Sequence, residues 1–267
     1  MDRTALLEEL KQALVVRVER PAPPEGKLGL IVVDVVRGFT RSGSLADPAS
    51  MAPMVEAVND LVRDLDRRLG DRLRVLVLRD RHPADIPEPP YPPHCIVGTG
   101  EERLDPELDW LLGRPGTTVL DKDCINGFVG ALTPLGDGTW RSQLSDWVVE
   151  QDLRGLVLAG DCTDICVSDL AVALLSARNH GMLTRTNGDH REAYVQAITE
   201  LPILVFAPGC ATFNLDPDGP LPGDNEALRH PAQLAQHVGL WLMASRGARV
   251  IDGFAGQTRL RGSGFSG

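Results

Sequence analysis

LGLIVVDVV, residues 28–36, holds apolar residues or glycine at every position but Asp34. A strand with one wet face alternates apolar and polar side chains. A run without alternation is how a strand covered on both faces reads, as in a parallel sheet sandwiched by helices. The same signal recurs in LRVLVLRD (73–80), TTVLDK (117–122), LRGLVLAGD (153–161) and LPILVFAPG (201–209). Between these runs lie helical patterns: MVEAVNDLVRDLDRRLG (54–70), LSDWVVEQD (144–152) and ICVSDLAVALLSARNHG (165–181). A late one, HPAQLAQHVGLWLMASRG (230–247), also ends on glycine, as helices often do. Strand–helix alternation of this kind predicts an α/β fold: one doubly wound, mostly parallel central sheet with helices on both faces, in a single domain. Residues 1–26 read as an N-terminal helix and a proline-rich lead-in, 27–252 as the domain, and 253–267 as a Gly/Ser-rich tail expected to be disordered.

The composition narrows the partners. The 267 residues carry a net charge of −10 and 43% apolar residues, enough for a sizeable core. Acidity of this size argues against a nucleic-acid footprint and against attraction to an anionic membrane surface. No stretch approaches the roughly 18–20 apolar residues of a membrane-spanning helix, and the charged N-terminus does not read as a secretory signal. The expectation is a cytoplasmic protein with free thiols at Cys95, Cys124, Cys162, Cys166 and Cys210.

In open parallel sheets, ligands bind at the carboxyl ends of the strands. The chemistry-bearing residues gather there: Asp34, Asp80, Lys122 and Asp161 each end or follow an apolar run. In GDCTDICVSDLA (160–171) the chain leaves a strand and starts a helix at about Ile165, which puts Cys166 in the first helical turn. Free N–H groups and the positive dipole end there favour a thiolate. A small buried core cysteine is an equal reading of the local sequence. In DRHPADIPEPPYPPHC (80–95), Asp80, His82, Glu88 and His94 share one proline-stiffened loop. Such N and O donors can hold one divalent ion, with Zn²⁺, Fe²⁺ or Mn²⁺ fitting the set; the alternative is a solvated turn. Taken singly, Lys122 reads more often as a surface lysine just past a strand end, and Asp34 reads also as a helix cap.

Taken together, these residues resemble the isochorismatase-like cysteine hydrolases and, within them, the plant-type nicotinamidases. The resemblance runs from about Leu28 to Ile251 and is most specific at HPADIPEPPYPPHCIVGTGE (82–101), KDCINGFVG (122–130), GDCTDICVSDLAVALLSARNHG (160–181) and PGCATFNLD (208–216). It implies a Rossmann-like fold and a catalytic triad of Asp34, Lys122 and Cys166. It implies a metal site of Asp80, His82 and His94, with Glu88 as a further ligand and zinc as the first choice of ion. Phe39 and Tyr91 match aromatic positions that sandwich the substrate ring, and Phe128 either closes the pocket or belongs to the core. The resemblance also implies a cis peptide at Asp161–Cys162, which would aim the N–H groups of Cys162 and Cys166 at one point as an oxyanion hole. The implied reaction is hydrolysis of nicotinamide to nicotinate and ammonia through a Cys166 thioester, in NAD salvage. Pyrazinamide is an expected second substrate, and a homo-oligomer is the expected assembly. A relative acting on another small carboxamide or an N-carbamoyl compound would share the triad, whereas a non-catalytic ligand-binding relative would be expected to lose part of it. The stretch 182–200 departs from the plant-type pattern, and His180 and His190 in and beside it read as surface histidines.

Overall fold

The computed structural model describes residues 3–184, 190–215 and 229–257. Seven strands form one sheet in the order β1-β9-β8-β7-β2-β3-β4, and every neighbouring pair is parallel. They are β1 (Val18–Glu19), β2 (Lys27–Val33), β3 (Leu73–Asp80), β4 (Thr117–Lys122), β7 (Leu153–Asp161), β8 (Ile203–Ala211) and β9 (Arg249–Ile251). A separate antiparallel hairpin joins β5 (Leu132–Pro134) to β6 (Trp140–Ser142). The helices are α1 (Arg3–Ala13), α2 (Arg37–Thr40), α3 (Pro48–Leu69), α4 (Gly127–Gly130), α5 (Gln143–Glu150), α6 (Ser168–Asn179), α7 (His190–Glu200) and α8 (Ala232–Ser245). Among the described residues no helix is long and apolar enough to cross a membrane.

The lack of alternation in β2 has a direct cause. Ile31 and Val33 face a core shared with Trp147 of α5, Leu170 and Leu174 of α6 and Met243 of α8. Leu28, Leu30 and Val32 face a second core built on α3 through Met54, Val58, Leu61 and Leu65. Each such side chain, fully withdrawn from water, contributes about 1.5–3 kcal/mol. The α3 helix starts where Asp47 accepts the Ser50 N–H at 3.2 Å, with Pro48 at its first position.

From β2 the chain winds outward through β3 and β4, and from β7 it winds the other way through β8 and β9. The β2/β7 pair is therefore the switch point of the sheet, where a doubly wound fold opens a crevice at its carboxyl end. The two strands approach closely there. Gly160 is paired with Val33, and a Cβ on it would stand 1.9 Å from the Val33 carbonyl oxygen at a φ of +134°.

Three expectations change. The first strand ends at Val33, because Asp34 adopts a φ of 53° and turns the chain. The helix expected from Ile165 begins at Ser168, after a π-helical turn over Thr163–Val167 that holds Cys166. The tail does not begin at Gly253: Phe254 is fully buried in the α3-side core, and Arg20 donates to the carbonyls of Phe254 and Gln257. Residues 258–267 lie outside the described ones, as does His190's side chain, while His180 is exposed and stacks on Tyr194.

Candidate active site and metal centre

Four strand ends deliver the polar residues to the switch point. Asp34 follows β2 directly. Its left-handed backbone is uncommon outside glycine, Asn and Asp, and Val36 N–H donates back to the Asp34 carbonyl at 2.6 Å. Asp80 and Lys122 are cross-strand partners at the ends of β3 and β4. Cys166 arrives on the turn after β7, and the Asp161–Cys162 bond that opens this turn is cis. All four side chains are buried.

Lys122 is the hub. Its Nζ stands 2.7 Å from Asp80 Oδ1, 2.9 Å from Asp34 Oδ2 and 3.8 Å from Cys166 Sγ. Neither Asp34 oxygen has a well-aligned hydrogen bond, although the Lys122 ammonium and the Cys166 thiol both stand near enough to act on its charge. Burial pushes the Asp34 carboxyl up to about 7; the Lys122 charge opposes this and the Asp80 charge adds to it. Burial likewise disfavours the Lys122 charge, but Asp34, Cys166 and Asp80 together hold it well above the ordinary lysine range. The Cys166 thiol is pushed well above its usual range by burial, which the Lys122 charge only partly offsets. This corrects the expectation of a thiolate favoured by a helix N-terminus: Cys166 is 8% exposed and rests protonated. A thiol beside a carboxyl that titrates near neutrality, with an ammonium touching both, can pass its proton to that carboxyl and act as a nucleophile.

The second cluster adjoins the first through Asp80. Asp80 Oδ2 lies 3.0 Å from His82 Nε2 and 3.1 Å from His94 Nε2. Glu88 Oε2 stands 3.6 Å from each of those nitrogens. Asp80, His82 and His94 offer three ligand atoms within 4.8 Å of one another, all buried. Two imidazoles and a carboxylate converging in this way are a donor set suited to a divalent cation. His94 Nδ1 faces the Pro92 carbonyl at 2.8 Å, and a carbonyl only accepts, so Nδ1 carries the proton. Nε2 faces the Asp80 carboxylate, and although burial lowers the His94 pKa, the Asp80 hydrogen bond and charge raise it overall, so the ring holds a second proton there that a divalent ion on Nε2 would replace. Glu88 points the same way, since burial and then the Asp80 charge push its carboxyl up, and a cation would offset both.

Phe39 and Tyr91 flank this cluster, with ring centroids 5.6 and 6.1 Å from that of His94. Phe128, in α4, packs against the α5/α6-side core. Of the supports of these residues, one comes from far along the chain and one from six residues on, and neither carries a local signal. Asp105 binds Thr40 at 2.6 Å and Arg41 at 2.7 Å, fixing α2 and with it Phe39. Glu101 accepts from Cys95 N–H at 3.0 Å, fixing the residue after His94, whose φ is 47°. Such pairs are visible only once the chain is folded.

The chain is similar to known proteins. An isochorismatase-domain family profile matches residues 29–187. Nicotinamidase 1 of Arabidopsis thaliana is 38% identical over 261 residues, covering 95% of this chain and 98% of that one. The nicotinamidase/pyrazinamidase of Mycobacterium tuberculosis is 28% identical over 187 residues, 64% of this chain and 92% of that one. Among solved structures, the pyrazinamidase/nicotinamidase of Streptococcus mutans covers 84% of this chain and 100% of its own at 17% identity, with a TM-score of 0.58. The N-carbamoylsarcosine amidase of Thermoplasma acidophilum covers 88% and 99% at 21% identity, with a TM-score of 0.56. Those two likenesses speak for the fold alone. The family profile, which covers more than half of the chain, and the plant relative, which spans nearly all of it, decide the matter: the chain belongs to the isochorismatase family.

Proposed function

We propose that this protein is a nicotinamidase, an amidohydrolase that converts nicotinamide to nicotinate and ammonia and so serves NAD salvage. The observation that carries the reading is Lys122, which touches Asp34, Cys166 and the metal-type ligand Asp80 at once. That contact sets an amide-cleaving group beside an anchor for a nitrogen heterocycle.

In the reaction, Asp34 accepts the Cys166 proton and Lys122 balances the charge that moves onto sulfur. The thiolate attacks the carboxamide carbon, forming the C–S bond. The N–H groups of Cys162 and Cys166 are the donors we assign to the tetrahedral oxygen. Protonated Asp34 gives its proton to the amide nitrogen, the C–N bond breaks and ammonia leaves. Water, deprotonated by Asp34, then cleaves the thioester, releasing nicotinate and restoring the Cys166 thiol. Phe39 and Tyr91 hold the pyridine ring between them, and Phe128 closes the pocket.

Asp80, His82 and His94, with Glu88 as a further oxygen donor, would hold one divalent ion. Zinc is our choice for two imidazoles and carboxylates, with Fe²⁺ and Mn²⁺ also suited to the set. When bound, the ion would supply a Lewis-acid anchor for the pyridine nitrogen. We also assign the protein to the cytoplasm and to a homo-oligomer.

The test is ammonia release from nicotinamide, pyrazinamide and an N-carbamoyl amide by the wild type and by Cys166→Ala. The first two amides should be cleaved and the third left intact, with Cys166→Ala inactive yet folded. Retained activity in that variant, or a preference for the N-carbamoyl compound, would refute the reading.

A further inference from the structure

The nucleophile turn is gripped from outside by residues that no step above uses. Asp164, two positions before Cys166, lies 2.8 Å from His230 Nε2. The other ring nitrogen, Nδ1, lies 2.7 Å from the Phe213 carbonyl oxygen. Both partners are acceptors, so the ring must carry both protons, and the contact is a charged pair. Burial alone would lower the His230 pKa, but the Asp164 hydrogen bond and charge outweigh it and raise it. His230 is itself firmly held. It exchanges backbone hydrogen bonds with Leu215 at 2.9 and 3.2 Å, and its ring stacks on Phe213 at 4.1 Å.

Two further contacts come from α8. Gln236 bonds Thr163 at 2.5 Å through Oε1 and the Cys210 carbonyl at 3.0 Å through Nε2. Gly239 lets the helix lie directly against the turn, since a Cβ there would stand 2.8 Å from Asp164 Cα. Thr163 and Asp164 are thus fixed from two sides, and they sit between Cys162 and Cys166, the residues to which the oxyanion donors are assigned.

We propose that His230, with Gln236 and Gly239, latches the nucleophile turn in its working position, making His230 a positioning residue for the reaction. This rests on the nicotinamidase reading. An error of about 1 Å in the placement of reacting groups can cost on the order of 100-fold in rate. The loss should therefore fall on kcat and spare substrate binding, which belongs to residues in the segments that follow β2, β3 and β4.

The experiment compares wild type, His230→Ala, His230→Gln, Gly239→Ala and the double variant His230→Ala/Gly239→Ala, measuring ammonia release and thermal melting. His230→Ala should lose about 10- to 100-fold in kcat with KM within about threefold. His230→Gln, which keeps an N–H donor towards Asp164, should recover most of that loss. Gly239→Ala should show the same kcat-only signature, and the double variant should lose less than the product of the two single losses, because both act on one turn. If His230→Ala does not fold, His230→Gln and Gly239→Ala decide between the outcomes. A kcat within twofold of wild type for His230→Ala, a KM that rises in step with the fall in kcat, or fully multiplicative losses would each overturn the proposal. An inactive wild type would overturn the enzymatic reading and this one with it, whereas an active wild type with an unaffected His230→Ala overturns this one alone.

Discussion

Replacing Lys122 by Met removes one buried ammonium and leaves the shape of the site nearly intact. Breaking a buried ion pair in this way ordinarily costs about 3–5 kcal/mol, since a carboxylate is left uncompensated. Here Asp34 has an escape. With a pKa of about 7 it is already about half protonated at neutral pH, and completing the protonation costs less than about 1 kcal/mol. Asp80 keeps His82 and His94 as partners. Stability should fall by no more than about 1–2 kcal/mol, a drop in melting temperature of about 2–8 °C for a chain of this size. Activity should fall much further. The same 3–5 kcal/mol corresponds to about 2–4 pKa units, which moves Asp34 to roughly 9–11 and removes the base at pH 7. Loss of a general base costs about 10²–10⁴ in kcat. The sign is unambiguous: the working form is the carboxylate, present above the pKa, so the variant should regain activity as pH rises towards 10. Ammonia release across pH 6–10, paired with thermal melting, measures both quantities. A Lys122→Met enzyme within tenfold of wild type at pH 7, or one whose pH profile stays where the wild type's is, would refute the reasoning.

Two further outcomes follow from the geometry. His82→Ala removes one of three clustered ligands; the purified protein should contain less than about a tenth of the wild-type metal by elemental analysis, with KM for nicotinamide raised more than kcat is lowered. Gly160→Ala sets a methyl group against the Val33 carbonyl in a conformation that side chains rarely adopt, so it should yield insoluble or molten protein by near-UV circular dichroism, and a normally folded variant would show that the β2/β7 approach is looser than described.

The parts of the fold legible in the sequence were those in which burial leaves a long apolar trace. Strands β3, β4 and β7 run over the very residues read from them: β3 and β7 because both faces are covered, and β4, a half-exposed edge strand, because turn residues bound it. Strands β1 and β9, of two and three residues, are too short to show any period and owe their place to pairing with each other and with β8. Strand-end logic brought Asp34, Asp80 and Lys122 to one crevice, and that is where they lie. The state of Cys166 was not legible. A local pattern puts it near a helix start and suggests a thiolate, but its depth in the core depends on strands as far as about 135 residues away, and that depth decides its protonation. For the same reason the Asp164–His230 pair, 66 residues apart, left no mark that reading along the chain could detect.

The winding of the sheet also decides how the site can be lost. Asp34, Asp80 and Lys122 ride on strands that spread to one side of the crossing point, and Cys166 rides on the first strand that spreads to the other. Neither the N-terminal nor the C-terminal half of the polypeptide contains a complete site, and the seam between them is the β2/β7 ladder, closed by residues about 125 positions apart. Closing so long a loop comes late in folding and is slow. Regain of amide cleavage during refolding should therefore trail the return of helical circular dichroism, reporting the moment the two wings of the sheet meet.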